Sequence, residues 1–474
     1  PERTKMNQNM LKELSTVTSL RYRPEFHLAP TFGWMNDPNG FVYFQGYYHI
    51  FYQNYPYKPE WGPMHWGHAR SRDLIHWENL PIALAPGDDE DTNGVFSGSG
   101  IVKNGRLYLI YTGHHYYGDN NPEHFWQNQN LAYSDDGVHF TKYEHNPVIS
   151  QAPSDSTHHF RDPKIWEYDG MYYVILGNQS QDGLGRVIIY RSENLFDWEY
   201  LGELDKSRSV SNEGDMWECP DFFAINGRHV LLTSPMKIES QQQKFRNLYQ
   251  TGYFIGQYDY AKNQFKRGKF QELDNGHDFY ASQTLLSPDG RRIVIGWADM
   301  WESEFPEKED GWAGMLTLPR ELTLIDDHLF MRPVTEVHTL RGRVLGSGNL
   351  PSVQPLLNGE SSTVEIQLTL AAQNFNLCFQ NSQEQDIISL HFDAANQEFQ
   401  LIHHAHPQDD RFATIEQSSE ITLALYIDKS IVEIFVQNGA AVFTERFYTN
   451  APPVIRINGN NLLGHFMIYQ LDAQ

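Results

Sequence analysis

Five strand-like runs of one character recur at roughly 60-residue intervals and dictate the architecture of the first two-thirds of the chain. They are Tyr47 to Gln53, Leu107 to Gly113, Met171 to Gly177, His229 to Ser234 and Arg292 to Trp297. Each is rich in aromatic and β-branched residues, which pack well on a pleated surface. A turn followed by an aromatic trails four of them: Ser71 to Trp77, Ser134 to Phe140, Ser192 to Trp198 and, more weakly, Asp259 to Phe265. A repeat of this size cannot bury its own faces and must stack on its neighbours around an axis. Five copies predict an all-β chain that opens with a five-bladed β-propeller.

The repeat stops near Arg332-Pro333, and a Gly, Ser and Pro-rich passage from Gly346 to Pro355 reads as a surface connection. Beyond it, short alternating segments such as Val364 to Leu370, Ile387 to Phe392, Ile421 to Ile427 and Ala441 to Phe447 predict a C-terminal antiparallel β-sandwich. The expected organisation is an N-terminal extension with a short amphipathic helix over 1–22, a propeller over 23–335, a linker over 336–355 and a sandwich over 356–474.

Three acidic turns occupy equivalent places in the repeat. Asp37 lies ten positions before Tyr47, Asp162 ten before Tyr172 and Glu218 eleven before His229. The second repeat holds Phe96-Ser97-Gly98-Ser99 at that place and the fifth holds Asp278-Phe279-Tyr280. Asn-Asp-Pro-Asn-Gly taken alone is simply good turn chemistry. Three acids in matched settings, each on the inner strand of its blade, converge on one channel mouth and define one site.

Composition narrows the chemistry. A formal net charge of −24 disfavours nucleic acid and anionic membranes as partners. No stretch approaches a membrane span. The two cysteines, Cys219 and Cys378, fall in separate predicted domains, which argues against a disulfide and for a cytoplasmic location. Cys219, next to Glu218, reads as a small buried apolar residue. The acidic run Gly87 to Asp91 lacks calcium-loop spacing, and His65, His68, His114 and His115 lack zinc spacing. No metal and no cofactor are expected.

Paired carboxylates in a cleft are the equipment of glycoside hydrolysis. Asn36, Asn39 and Gly40 surround Asp37 with amide groups that favour its ionised form. Glu218, between Trp217 and Cys219, suits the proton donor, whose proton burial and nearby negative charge would retain. Arg161 is expected to keep Asp162 ionised and to offer paired donors to sugar hydroxyls.

The motifs WMNDPNG at 34–40, FYQNYP at 51–56, WGPMHWGHARSRDLIHW at 61–77, FSGSG at 96–100, FRDPK at 160–164, MWECPDFF at 216–223 and LDNGHDFYASQ at 273–283 resemble those of glycoside hydrolase family 32. Its β-fructofuranosidases include bacterial invertases and sucrose-6-phosphate hydrolases. The resemblance implies a retaining enzyme with Asp37 as nucleophile, Glu218 as acid/base and Asp162 as transition-state stabiliser. It also implies a fructose pocket lined by Asn36, Gln53, Trp61, Phe96, Ser97 and Arg161, with Tyr280 and Trp297 further candidates. The substrate it implies is sucrose or a short fructo-oligosaccharide. Sucrose 6-phosphate hydrolysis, fructosyl transfer and non-catalytic fructan binding are the alternatives, and the chain is read as a monomer or a homodimer.

Overall fold

A computed structural model describes residues 16–473. The helix expected within 1–22 lies mostly outside these residues, and 16–22 carry none. Helix among the described residues is confined to Val210–Glu213, Pro306–Asp310, Thr335–Leu340 and Gln437–Gly439, and no helix is long and apolar enough to cross a membrane.

Through Pro333 the strands form five small sheets in chain order, four of them wholly antiparallel. Their first strands are Gly33–Phe44, Gly94–Lys103, Ser156–Tyr168, Met216–Ile225 and Tyr280–Leu286. Each first strand packs against the next, and the fifth returns to the first, so the five form a closed ring. Trp312–Ala313 adds in parallel to Gly33 and Trp34 and laces the two ends together.

Local chemistry explains why each sheet forms. Gln45-Gly46, Asn104-Gly105, Asp169-Gly170 and Asn226-Gly227 join first to second strands with positive φ at both residues, the type I′ turn that matches strand twist. In the second recurring element, Asp73, Asp136 and Asn194 each accept two backbone N–H groups through one side-chain oxygen. These three equivalent turns show that the repeat extends to individual hydrogen bonds.

The C-terminal part is a pair of six-stranded sheets. One has the order Arg341–Leu350, Gly464–Leu471, Thr363–Ala371, Glu420–Asp428, Ile431–Val436 and Ala441–Arg446. Residues such as Ile366, Leu377, Leu390, Leu425 and Ile434 fill the core. The linker expected over 336–355 is largely absent. Residues Arg341–Leu350 form an edge strand paired with Gly464–Leu471, because the Gly-rich segment supplies backbone hydrogen bonds whatever its side chains.

The two parts share one apolar cluster, in which Tyr426, Phe435 and Val442 of the C-terminal sheets meet Phe279, Leu318 and Met331 of the ring. Buried ion pairs cross the same boundary. Arg320 bonds Asp274 and Glu433 at 3.0 and 2.7 Å, and Arg446 bonds Asp299 and Glu307 at 2.8 and 2.6 Å.

Candidate active site

All five first strands are bulged at the same place. Two residues stand opposite one at Asn36-Asp37 against Gln53, Phe96-Ser97 against Thr112, Asp162-Pro163 against Leu176, Cys219-Pro220 against Thr233 and Ala281-Ser282 against Gly296. A bulge bends its strand and re-aims its side chains, and here it presents functional groups at one end of the ring. Pro163 and Pro220 fit these bulges because they have no N–H to leave unpaired, and Pro38 directly follows the first bulge. Asp162, Cys219 and Ala281 take φ values of +69°, +47° and +58°, a left-handed conformation that costs about 1–3 kcal/mol for such residues and clusters at functional sites. Gly40 lies in a second irregularity of the first strand, opposite Ile50, at φ +58°, where a Cβ would meet the Phe51 ring at 2.4 Å.

The three acids are joined by short contacts. Asp37 accepts hydrogen bonds from Asn36 Nδ2 at 3.1 Å, Ser97 Oγ at 2.8 Å and Cys219 Sγ at 3.2 Å. Asp162 Oδ2 accepts from the Cys219 backbone N–H at 2.9 Å, and the same thiol reaches it at 3.5 Å. Glu218 accepts from Arg161 Nε at 3.0 Å and from the Tyr280 hydroxyl at 2.5 Å. Asn36 is itself held by Trp34 Nε1 at 2.8 Å, so the amide that faces Asp37 has a fixed orientation.

Burial dominates the electrostatics. It raises Asp37 to about 6, helped by the Glu218 charge, although Asn36, Ser97 and Cys219 pull the other way. Asp162 rises to about 7 for the same first cause, with Glu218 next. This corrects one expectation: Arg161 spends its nearest donor on Glu218, and desolvation of Asp162 outweighs the pull of the guanidinium. Burial, reinforced by the adjacent carboxyls, pushes the Cys219 thiol and the Tyr280 phenol well up, so both remain donors.

Both aspartates are held above their unfolded value of 3.8. Their contribution to stability is therefore complete below pH 3.8 and is lost as pH rises through about 6 and 7. Asp162→Asn should accordingly stabilise the fold at pH 8 by roughly 1–3 kcal/mol and leave it unchanged at pH 4. A thermal midpoint at pH 8 equal to or below that of the unsubstituted protein would contradict this.

The remaining expected residues divide. Phe96 stacks flat on His114 at 4.1 Å between ring centres, and Trp61, 42% exposed, stands edge-on to it at 6.1 Å. Gln53 is buried and donates to Asn39 and the Val95 carbonyl, so it pins the first sheet to the second. Trp297 is completely buried against Trp34, Trp301 and Phe305, directly across the ladder from Tyr280.

Residues given no role by the sequence also converge. Cys219, read there as a small apolar residue, contacts two of the three acids. His114, Gln127 and His159 surround Phe96 and Arg161, and Thr112 accepts from the Asp162 backbone. The neighbouring motifs were the only available signal for them. The acidic loop before the second sheet is bridged from outside by Lys142, whose Nζ lies 2.7 Å from both Asp88 and Asp91.

Three carboxyls gathered on a bulged ring, one paired with a guanidinium and a phenol, are groups of the kind that carboxylate-based glycoside hydrolysis uses. Residues 27–333 match the model of the glycosyl hydrolases family 32 N-terminal domain, and residues 330–461 match that of the family 32 C-terminal domain. The chain belongs to glycosyl hydrolase family 32.

It is 42% identical over 443 residues to a sucrose-6-phosphate hydrolase of Zymomonas mobilis, covering 89% of this chain and 85% of the relative. It is 40% identical over 463 residues to a raffinose invertase of Escherichia coli, covering 95% and 94%. The solved GH32 beta-fructofuranosidase BmSUC1 of Bombyx mori superposes with a TM-score of 0.90 at 38% identity, covering 100% of this chain and 99% of that one. A mutant of that protein is solved in complex with sucrose.

Proposed function

We propose that the protein is a retaining β-fructofuranosidase that releases fructose from sucrose and short fructo-oligosaccharides. Its ring would be a five-bladed β-propeller over about residues 27–333, followed by a β-sandwich. The observation that carries this reading is the gathering of Asp37, Asp162 and Glu218 around Cys219 on neighbouring bulges, in a chain of family 32.

In the proposed mechanism a carboxylate oxygen of Asp37 attacks the anomeric carbon of a terminal fructofuranosyl unit. Glu218 transfers its proton to the departing glycosidic oxygen. Asp162, raised towards neutrality, exchanges hydrogen bonds with the fructose hydroxyls. Glu218 then takes a proton from water, which attacks the fructosyl ester and frees Asp37. Asn36, Ser97 and Cys219 hold the attacking carboxylate in one orientation. Tyr280 and Arg161 do the same for Glu218.

The surroundings of the proton donor favour an uncharged leaving group. Tyr249, which packs on Tyr280 at 6.0 Å, has Glu218, Glu302, Asp215 and Glu123 as its charged neighbours, and the nearby Lys237 is paired with Asp215 at 3.5 Å. A phosphate on the leaving sugar would meet carboxylates there. The names of the sucrose-6-phosphate hydrolase relatives favour the phosphorylated sugar as the second reading. Assayed side by side, sucrose should give a kcat/KM at least about tenfold above that of sucrose 6-phosphate, with fructose first released in the β configuration. A preference for the phosphorylated sugar would overturn the substrate assignment, and an inverted product would overturn the mechanism. Cys219 and Cys378 are both free thiols, as suits the cytoplasmic location proposed here.

A further inference from the structure

Among the described residues Arg161 is the one cation bonded to any of the three acids, and its direction is set by residues outside the family motifs. Its Nη1 donates to His159 Nδ1 at 2.8 Å and to Gln127 Oε1 at 3.4 Å, while Nε donates to Glu218. Guanidinium nitrogens can only donate, so His159 Nδ1 must be an unprotonated acceptor. The Phe160 backbone N–H also donates to Gln127 Oε1, at 3.0 Å. Two obligate donors thus fix which end of the Gln127 amide is oxygen. The other end, Nε2, lies 3.1 Å from His114 Nδ1 and must donate to it. His114 is in turn neutral, with its proton on Nε2, and its ring lies flat beneath Phe96.

We propose that His159 and Gln127 are positioning residues that aim the Arg161 guanidinium at Glu218, and that Gln127 extends the same chain through His114 to the Phe96 platform. Burial and the Arg161 charge hold His159 and His114 far below the ordinary histidine range, so both accept throughout the working pH range. The groups facing Arg161 and Glu218 from the packed elements are Asp37, Asp162, Cys219, Tyr249, Tyr280, His114, His158, His159 and Lys237. Arg161 alone among them bonds Glu218 as a cation. If the guanidinium is released, Glu218 loses its bonded positive partner and one of its two side-chain anchors.

This inference rests on Glu218 being the proton donor, so the test separates the two. In Glu218→Gln the basic limb of the pH–rate profile should flatten; an unchanged limb sinks the assignment of the donor and, with it, the inference. In His159→Leu, kcat/KM for sucrose should fall about tenfold and the basic limb should move to higher pH. His159→Gln, which restores an acceptor, should recover most of both. Gln127→Met should move the limb in the same direction and is scored in place of His159→Leu if that variant does not fold. A lower rate with the limb unmoved, or a His159→Gln variant as impaired as His159→Leu, would make the two residues merely structural and overturn the proposal.

Discussion

Asp37→Ala is expected to lower kcat on sucrose by ~10⁴-fold or more while sucrose binding, measured by calorimetry, persists. The size follows from the site. Asn36, Ser97 and Cys219 all point donors at this one carboxylate, and no other group is held in the same way. Asp162 is engaged by the Cys219 backbone on a different bulge, and Glu218 is bonded to Arg161 and Tyr280. Neither can take over the role proposed for Asp37 without leaving its own anchors. A loss smaller than about tenfold would mean that the attacking group is misassigned.

The second large effect concerns the fold. Arg446 of the C-terminal sheets uses all five N–H donors inside the protein: Nε to the Ser430 carbonyl at 3.0 Å, Nη1 to both Asp299 oxygens at 2.8 Å, and Nη2 to Glu307 at 2.6 Å and Ser430 Oγ at 3.2 Å. Its partners Asp299 and Glu307 lie on the segment that carries Trp301 and Phe305, whose rings pack on Trp34 behind Asn36 and Asp37. Arg446→Met leaves two buried carboxylates without their cation and should destabilise the protein by about 3–5 kcal/mol. The combined change Arg446→Met, Asp299→Asn and Glu307→Gln should recover much of that loss, because the penalty comes from the uncompensated charge. Thermal and denaturant midpoints measure both. A single variant within about 1 kcal/mol of the unsubstituted protein would show that the clamp contributes little.

Much of this molecule was legible in one dimension. The aromatic strands and their turns recur in sequence because each sheet is built from local chemistry: two-residue turns ending in Gly, Asx turns after the third strand, and alternating side chains. The offset of Asp37, Asp162 and Glu218 from their following strands was equally visible, since a repeat places equivalent residues at equivalent points of a ring. What misled was composition. The Gly and Ser content around Gly346 suggested a linker, yet a β-ladder needs only backbone groups, and Arg341–Leu350 pairs along its length. Trp297, a pocket candidate by resemblance alone, is buried against Trp34, Trp301 and Phe305, a packing that involves residues outside its own strand.

By itself the sequence determined the ring of sheets and the three acids on it, because turn geometry, strand periodicity and repeat spacing are properties of near neighbours. Only the tertiary structure decided which acid Arg161 serves, that Cys219 joins two of them, how far burial lifts Asp37 and Asp162, and how Arg446 clamps the wall behind the site. Those outcomes depend on how well water is excluded and on which donors arrive from other sheets. Both are set by residues tens to hundreds of positions away.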